Sequence, residues 1–171
     1  MRIKLLLILF LIPCMRVYAQ GVHEFSEEKW LGVWKGSLQI IYPSSVQSVS
    51  MSLEISKTET PGRYSWKTVY GEAPKTLEKK YFIYAKDEAK GQWILDEENE
   101  ILIDLYLADN VFYSLFEVKG SILNSIYTNS GSSIVFEVLS CKSDTPNVTG
   151  KGGDEVKSYP VFVIQKAVLT R

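Results

Sequence analysis

The chain has 171 residues, 46% of them hydrophobic, and 19 basic residues stand against 20 acidic ones. That length suits one real core rather than two ordinary domains, and the apolar content argues against disorder. There is no basic surplus for a phosphate backbone, which leaves nucleic acid without a partner here, and one His with two Cys leaves little for metal or nucleophile chemistry.

The first nineteen residues read as a segment that leaves before folding. Arg2 and Lys4 precede an unbroken apolar run from Leu5 to Ile12, and Val17-Tyr18-Ala19 then offers a small residue for cleavage before Gln20. This is the three-part pattern of a secretory signal peptide over 1–19. The run is shorter than the about 20 residues a membrane-spanning helix needs. An uncleaved anchor is one alternative. A lipoprotein is another, although Pro13 stands before Cys14 where Gly, Ala or Ser is usual. Cleavage near Ala19-Gln20 removes three bases and no acid, so the mature 152 residues carry 16 bases against 20 acids, a net charge of −4. Cys141 is then the one remaining Cys, with no partner for an intramolecular disulfide. The expectation is a secreted or periplasmic protein, held together by packing and without a transmembrane segment once the signal is gone.

Residues 20–29 form an N-terminal segment. Ser26-Glu27-Glu28-Lys29 before Trp30 predicts one short helical turn capped by Ser26. His23 lies in this segment, a poor place from which to hold a general base.

From Trp30 onward the period is two. Val49, Met51, Leu53 and Ile55 alternate with Ser48, Ser50, Ser52 and Glu54. Tyr64, Trp66, Thr68 and Tyr70 alternate with Ser65, Lys67 and Val69, and Ile101, Ile103, Leu105 and Leu107 with Leu102, Asp104 and Tyr106. Similar runs near 33–42, 79–86, 91–96, 111–118, 121–128, 132–140 and 157–169 bring the count to about ten strands. Pro61-Gly62, Ala108-Asp109-Asn110, Lys119-Gly120 and Asn129-Ser130-Gly131 read as tight turns. Connections so short make antiparallel neighbours. A meander exposes two edges unless it closes. The fold expected for 30–171 is therefore all-β, an antiparallel up-and-down β-barrel of about eight to ten strands. A two-sheet sandwich is the alternative. The Gly- and Pro-containing stretch 142–155 reads as a mobile loop before the last strand.

The motif Trp30-Leu31-Gly32-Val33-Trp34-Lys35-Gly36 opens this pattern. A helical turn followed by Gly-x-Trp at the first strand resembles the lipocalin and fatty-acid-binding-protein (calycin) superfamily. The resemblance implies that Gly32 lets the chain bend into the strand and that Trp34 plugs the closed end of the barrel. It also implies a basic residue near the C-terminus, Lys166 or Arg171, packed over the Trp. The chain departs from the family in several places. No Asp-containing second motif, two-Cys bridge, helix after the barrel or helical lid is recognisable. The haem-binding group uses a late His, whereas His23 precedes the first strand, so no cofactor is expected. The resemblance implies a binding protein for a small apolar or amphipathic ligand.

The aromatic residues carry that expectation. Tyr64, Trp66 and Tyr70 share one face, Phe112 and Phe116 another, and Tyr127 follows on a later strand. They are candidates for a ligand cavity, with core packing as the alternative role. The acidic run Asp96-Glu97-Glu98-Asn99-Glu100 falls where a hairpin turn belongs and reads as solvated charge. No triad or metal set can be assembled, so neither an enzyme nor a metal site is expected. Val111 to Val118, Ile134 to Leu139 and Tyr159 to Val168 are apolar on both faces. Val135, Leu139, Ile164 and Val168 would then need cover from the N-terminal segment, a homodimer partner or the cell envelope. The second functional expectation follows: a cell-envelope protein-interaction or inhibitor module with a solid barrel.

Overall fold

A computed structural model describes residues 23–171. The signal-peptide reading of 1–19 and its cleavage point lie outside the described residues. A four-residue helix α1 (Glu27–Trp30) comes first, followed by β1 (Gly32–Tyr42), β2 (Ser45–Lys57), β3 (Arg63–Glu72) and β4 (Lys75–Asp87). A 3-10 turn at Glu88–Lys90 leads to β5 (Gln92–Asp96), β6 (Leu102–Ala108), β7 (Val111–Val118), β8 (Ser121–Asn129) and β9 (Ser133–Lys142). The short strands β10 (Asn147–Thr149) and β11 (Val156–Ser158) precede the last strand, β12 (Val161–Thr170).

Ten strands form one closed antiparallel barrel, in which each strand from β1 to β9 lies beside its chain neighbours and β12 closes the gap between β9 and β1. This is the up-and-down barrel expected from the alternation, at the upper end of the expected strand number. Closure pairs every strand of the wall on both sides, although β6 and β7 pair over only part of their length. The hairpins are as tight as the turn residues imply. Asp109 and Asn110 both have positive φ (47° and 62°), as do Lys119 and Gly120 (48° and 72°). Two consecutive left-handed residues give the turn whose twist matches the flanking strands.

Pairing sets which residues look inward. Leu53 stands opposite Trp34 on β1 and Thr68 on β3, and all three are buried. The opposite parity is wet: Glu54 lies beside Lys67 in an ion pair, and Glu137 faces Lys166 at 3.0 Å.

The stretch 142–155 differs from the loop expected. Asn147 to Thr149 pairs with Val156 to Ser158 in a two-stranded hairpin outside the barrel. Gly150 at φ +103° and Gly153 at φ +100° let the chain reverse there. Every residue of both short strands is exposed, so the hairpin has no face to bury. Among the described residues, no helix is long and apolar enough to cross a membrane.

Candidate ligand cavity

The barrel interior divides into a packed floor and a hollow upper half. The N-terminal segment makes the floor. Ser26 Oγ accepts from the Lys29 amide at 3.4 Å and starts α1, which brings Trp30 into the closed end, fully buried. Phe25 enters beside it, 4.6 Å from the Tyr64 ring, 5.1 Å from Trp93 and 6.2 Å from Phe112. Trp66 and Phe112 meet edge to face at 6.0 Å. His23, expected to be loosely held, is docked: its Nδ1 lies 2.8 Å from the Leu107 carbonyl oxygen, and its ring meets Tyr106 edge-on.

Tyr64 belongs to this floor. Its hydroxyl donates to Glu27 Oε1 at 2.9 Å, and Glu27 also pairs with Lys57 at 2.6 Å. Burial, then the bond to Glu27, pushes the Tyr64 phenol up to about 12. The Glu27 carboxyl is held below its ordinary value by the Lys57 ammonium and the Tyr64 hydroxyl.

Trp34 lies in the floor next to the outer rim. Its indole N–H donates to the Trp30 carbonyl at 3.0 Å, and the Arg171 guanidinium covers its ring at 4.3 Å. The basic cover is therefore Arg171, while Lys166 points outward to Glu137. Gly32 enters β1 at φ +135°, a backbone conformation that side chains disfavour.

Above the floor a cavity of about 190 Å³ remains. Tyr70, Phe116 and Tyr127 line it. Tyr64, Trp66 and Phe112, placed with them by sequence, are part of the packed floor instead. The lining also takes in Tyr81, Ser114, Ser125 and Gln165, with Glu97 among its residues on the β5–β6 connection at the mouth. Two of these carry a signal in the sequence. Tyr81 shares the parity of Ile83 on its strand, and Gln165 is a polar interruption on a face that otherwise carries Val163, Ala167 and Leu169. Glu97 comes from the acidic run, whose neighbour Asp96 pairs outside with Arg63 at 3.0 Å.

The three phenols stand apart from Tyr64. Burial raises Tyr70 to about 12, and it raises Tyr127 and Tyr81 as well, with neighbouring phenols adding to the shifts of Tyr70 and Tyr127. Glu97 adds to the rise at Tyr81. No acceptor among the described residues meets any of the three hydroxyls. Trp66 stands edge-on to Tyr127 at 5.0 Å, and its indole N–H leans toward the Tyr127 oxygen without closing a hydrogen bond.

The wall is parted on one side of the cavity. β6 and β7 pair only through Tyr106–Tyr113, Leu107–Phe112 and Ala108–Val111. Toward the open end they separate, although β7 stays paired with β8 along its whole length. An outer groove of about 540 Å³ occupies the separation, and Leu105 and Ser114 line both the groove and the cavity.

On the outer wall, Val168 is 53% exposed and pairs with Val135, while Leu139, 38% exposed, pairs with Ile164. The described part of the N-terminal segment, residues 23–29, packs at the closed end, away from these pairs. Among the described residues, no cluster of His, Cys, Asp and Glu is arranged for a metal ion, and Cys141 is a free, half-buried thiol.

The fold and the hollow upper half define a small closed β-barrel with a cavity in its interior. The chain is similar to the crystal structure of a protein of unknown function from the DUF3598 family of Nostoc punctiforme. The TM-score is 0.59 and the identity 14%, over 86% of this chain. It spans 49% of that protein's length. No family model matches the chain, and no curated protein matches it.

Proposed function

We propose that the protein is a lipocalin-like binding protein for a small apolar or amphipathic molecule, secreted or periplasmic, without catalytic activity or a cofactor. The observation that carries this reading is the cavity of about 190 Å³ in the upper half of the barrel, open to solvent at its mouth. Drug-sized pockets run from about 300 Å³ upward, and a dry cavity of about 150 Å³ holds benzene. The size supports a ligand near one aromatic ring. Arg171 over Trp34 supports the superfamily resemblance. The charged start, apolar run and small-residue site of 1–19 support export.

Titration with toluene, followed by side-chain NMR, tests binding. Saturable shifts at Tyr127, Phe116 and Leu123, lost in Leu123→Trp, are the expected result. Binding that survives this cavity-filling change would move the site elsewhere, and no binding would refute the reading. Amino-terminal sequencing of the exported protein tests the compartment, with Gln20 expected first.

The outer pairs Val135–Val168 and Leu139–Ile164 favour a second reading, an envelope interaction module. A concentration-independent monomer in sedimentation that captures no envelope partner would count against it.

A further inference from the structure

The cavity reading leaves open what chemistry the ligand carries, and the polar half of the lining addresses this. Six polar neutral side chains line the cavity: Tyr70, Tyr81, Tyr127, Ser114, Ser125 and Gln165. The lining contains no Lys, Arg or His, and its one ionisable carboxyl is Glu97. Lys79 shares the inward parity of Tyr81 on β4, but it is exposed and is not part of the lining.

A buried polar group normally finds a partner, and one left without costs free energy. Here the phenolic O–H groups of three half-buried tyrosines line the same cavity, and none closes a hydrogen bond to an acceptor among the described residues. A phenol also accepts, but its proton needs an oxygen or nitrogen to point at. Water can serve in a site this polar. A carbonyl oxygen has two lone pairs, so a ligand that presents one satisfies two donors at a time, leaves the third to water, and leaves the apolar wall of Leu95, Ile103, Leu105, Phe116 and Leu123 for its hydrocarbon part.

We infer, resting on the binding reading above, that the ligand is an uncharged molecule of about one ring whose carbonyl-type oxygen is held by the hydroxyls of Tyr70, Tyr81 and Tyr127. A carboxylate is the wrong partner. An anion buried without a cation loses hydration that phenols replace only in part, and Glu97 adds repulsion. Long-chain fatty acids are excluded twice, by charge and by the cavity's volume. The phenols stay protonated through the physiological range because burial holds them above their ordinary value.

Three probes of matched shape test this on the full chain: acetophenone, benzoate and ethylbenzene, titrated at neutral pH with NMR detection. Acetophenone is expected to bind tightest. Each of Tyr70→Phe, Tyr81→Phe and Tyr127→Phe should weaken acetophenone about three- to tenfold, the usual weight of one hydrogen bond. Ethylbenzene should change less than about twofold in each variant, since no hydrogen bond to it is lost. Tyr70→Phe and Tyr81→Phe delete a hydroxyl that closes no hydrogen bond within the described residues, so their thermal midpoints should not fall, which separates a lost contact from a lost fold; Tyr127→Phe also takes the oxygen that the Trp66 indole N–H leans toward and is read against them.

Benzoate binding as tightly as acetophenone would overturn the chemical class while leaving the cavity reading intact. If that benzoate binding vanished in Lys79→Met, the ligand would be an anion held at the mouth. Equal binding of acetophenone and ethylbenzene, unmoved by the Tyr→Phe changes, would overturn the role of the phenols. Failure of all three probes to bind would overturn the binding reading itself.

Discussion

The guanidinium of Arg171 lies 4.3 Å from the centre of the Trp34 ring, at the seam where β12 meets β1. The same group reaches the carbonyl oxygens of Glu28, Lys29 and Leu31 at 2.8, 2.7 and 3.0 Å. Those carbonyls are the unpaired end of α1, where four C=O groups lack intrahelical partners. Trp34 takes the Trp30 carbonyl and Asn129 shares the Lys29 carbonyl, so side chains from β1, from β8 and from the residue that follows β12 together cap a four-residue helix. A helix this short does not persist alone. The barrel holds it in place, and it closes the barrel in return.

Arg171→Ala should therefore destabilise the fold by about 1–2 kcal/mol, combining an exposed cation–π contact with lost charge-assisted hydrogen bonds. Arg171→Lys should recover less than half of that, because an ammonium lacks the planar fork that stacks and donates together. Urea unfolding followed by tryptophan fluorescence measures both. A midpoint unchanged in Arg171→Ala would show that the contact carries no stability.

Phe25 makes the stronger demand on the floor. Its ring is 8% exposed and touches Tyr64, Trp93, Phe112 and Trp30. Phe25→Ala should cost about 3–5 kcal/mol, the range for deleting a buried aromatic, unless the neighbouring rings collapse into the space. The same variant should free His23 from Leu107 and speed proteolysis before Trp30. Calorimetry and limited digestion read the two effects separately.

These two residues also mark how far the sequence could be read. Strands with one apolar and one polar face were legible, so parity put Leu53 on an inner face, while Trp34 was placed through the resemblance and Phe112 lay on a strand apolar on both faces. Depth along the barrel was not legible. Phe112 and Phe116 share a face of β7, yet one packs in the floor and the other lines the cavity. That difference follows from the stagger of ten tilted strands, which no single strand encodes. Phe25 lies in a segment with no period, so nothing in the pattern marked it as core. Arg171 over Trp34 was legible only through resemblance, since 137 residues separate the two in the chain. Tyr81 and Gln165 were readable from parity once the inner face was chosen.

The parting of β6 from β7 has a backbone consequence. The tight turn at Asp109-Asn110 makes Ala108 and Val111 a hydrogen-bonded pair, and the two-residue alternation then aims the amides of Asp104 and Leu115 at each other. The ladder stops before them. Ser114 and Phe116 point their amides the other way, into the intact pairing with β8. Hydrogen exchange should be fast at Asp104 and Leu115 and slow at Ser114 and Phe116 within the same strands. Uniform protection along β7 would mean that the wall closes in solution.

Alkaline pH should unfold the protein through its phenols. Tyr64 and Tyr70 are each raised from an ordinary 10.0 to about 12, and Tyr81 and Tyr127 are raised in the same direction. Below pH 10 the phenols are protonated in both states, and stability does not depend on them. Between about pH 10 and 12 the unfolded chain has lost these protons while the folded chain keeps them, so unfolding releases protons and stability falls as pH rises. Phenolate absorbance should then lag behind that of a free tyrosine and rise together with the loss of tertiary signal, rather than ahead of it. Tyr70→Phe removes one of the delayed phenols and should make the alkaline fall in stability shallower, with stability at neutral pH unchanged or slightly higher. A phenolate titration at ordinary pH in the intact barrel would show that Tyr70, Tyr81 and Tyr127 are hydrated, with a wet cavity in place of a dry one.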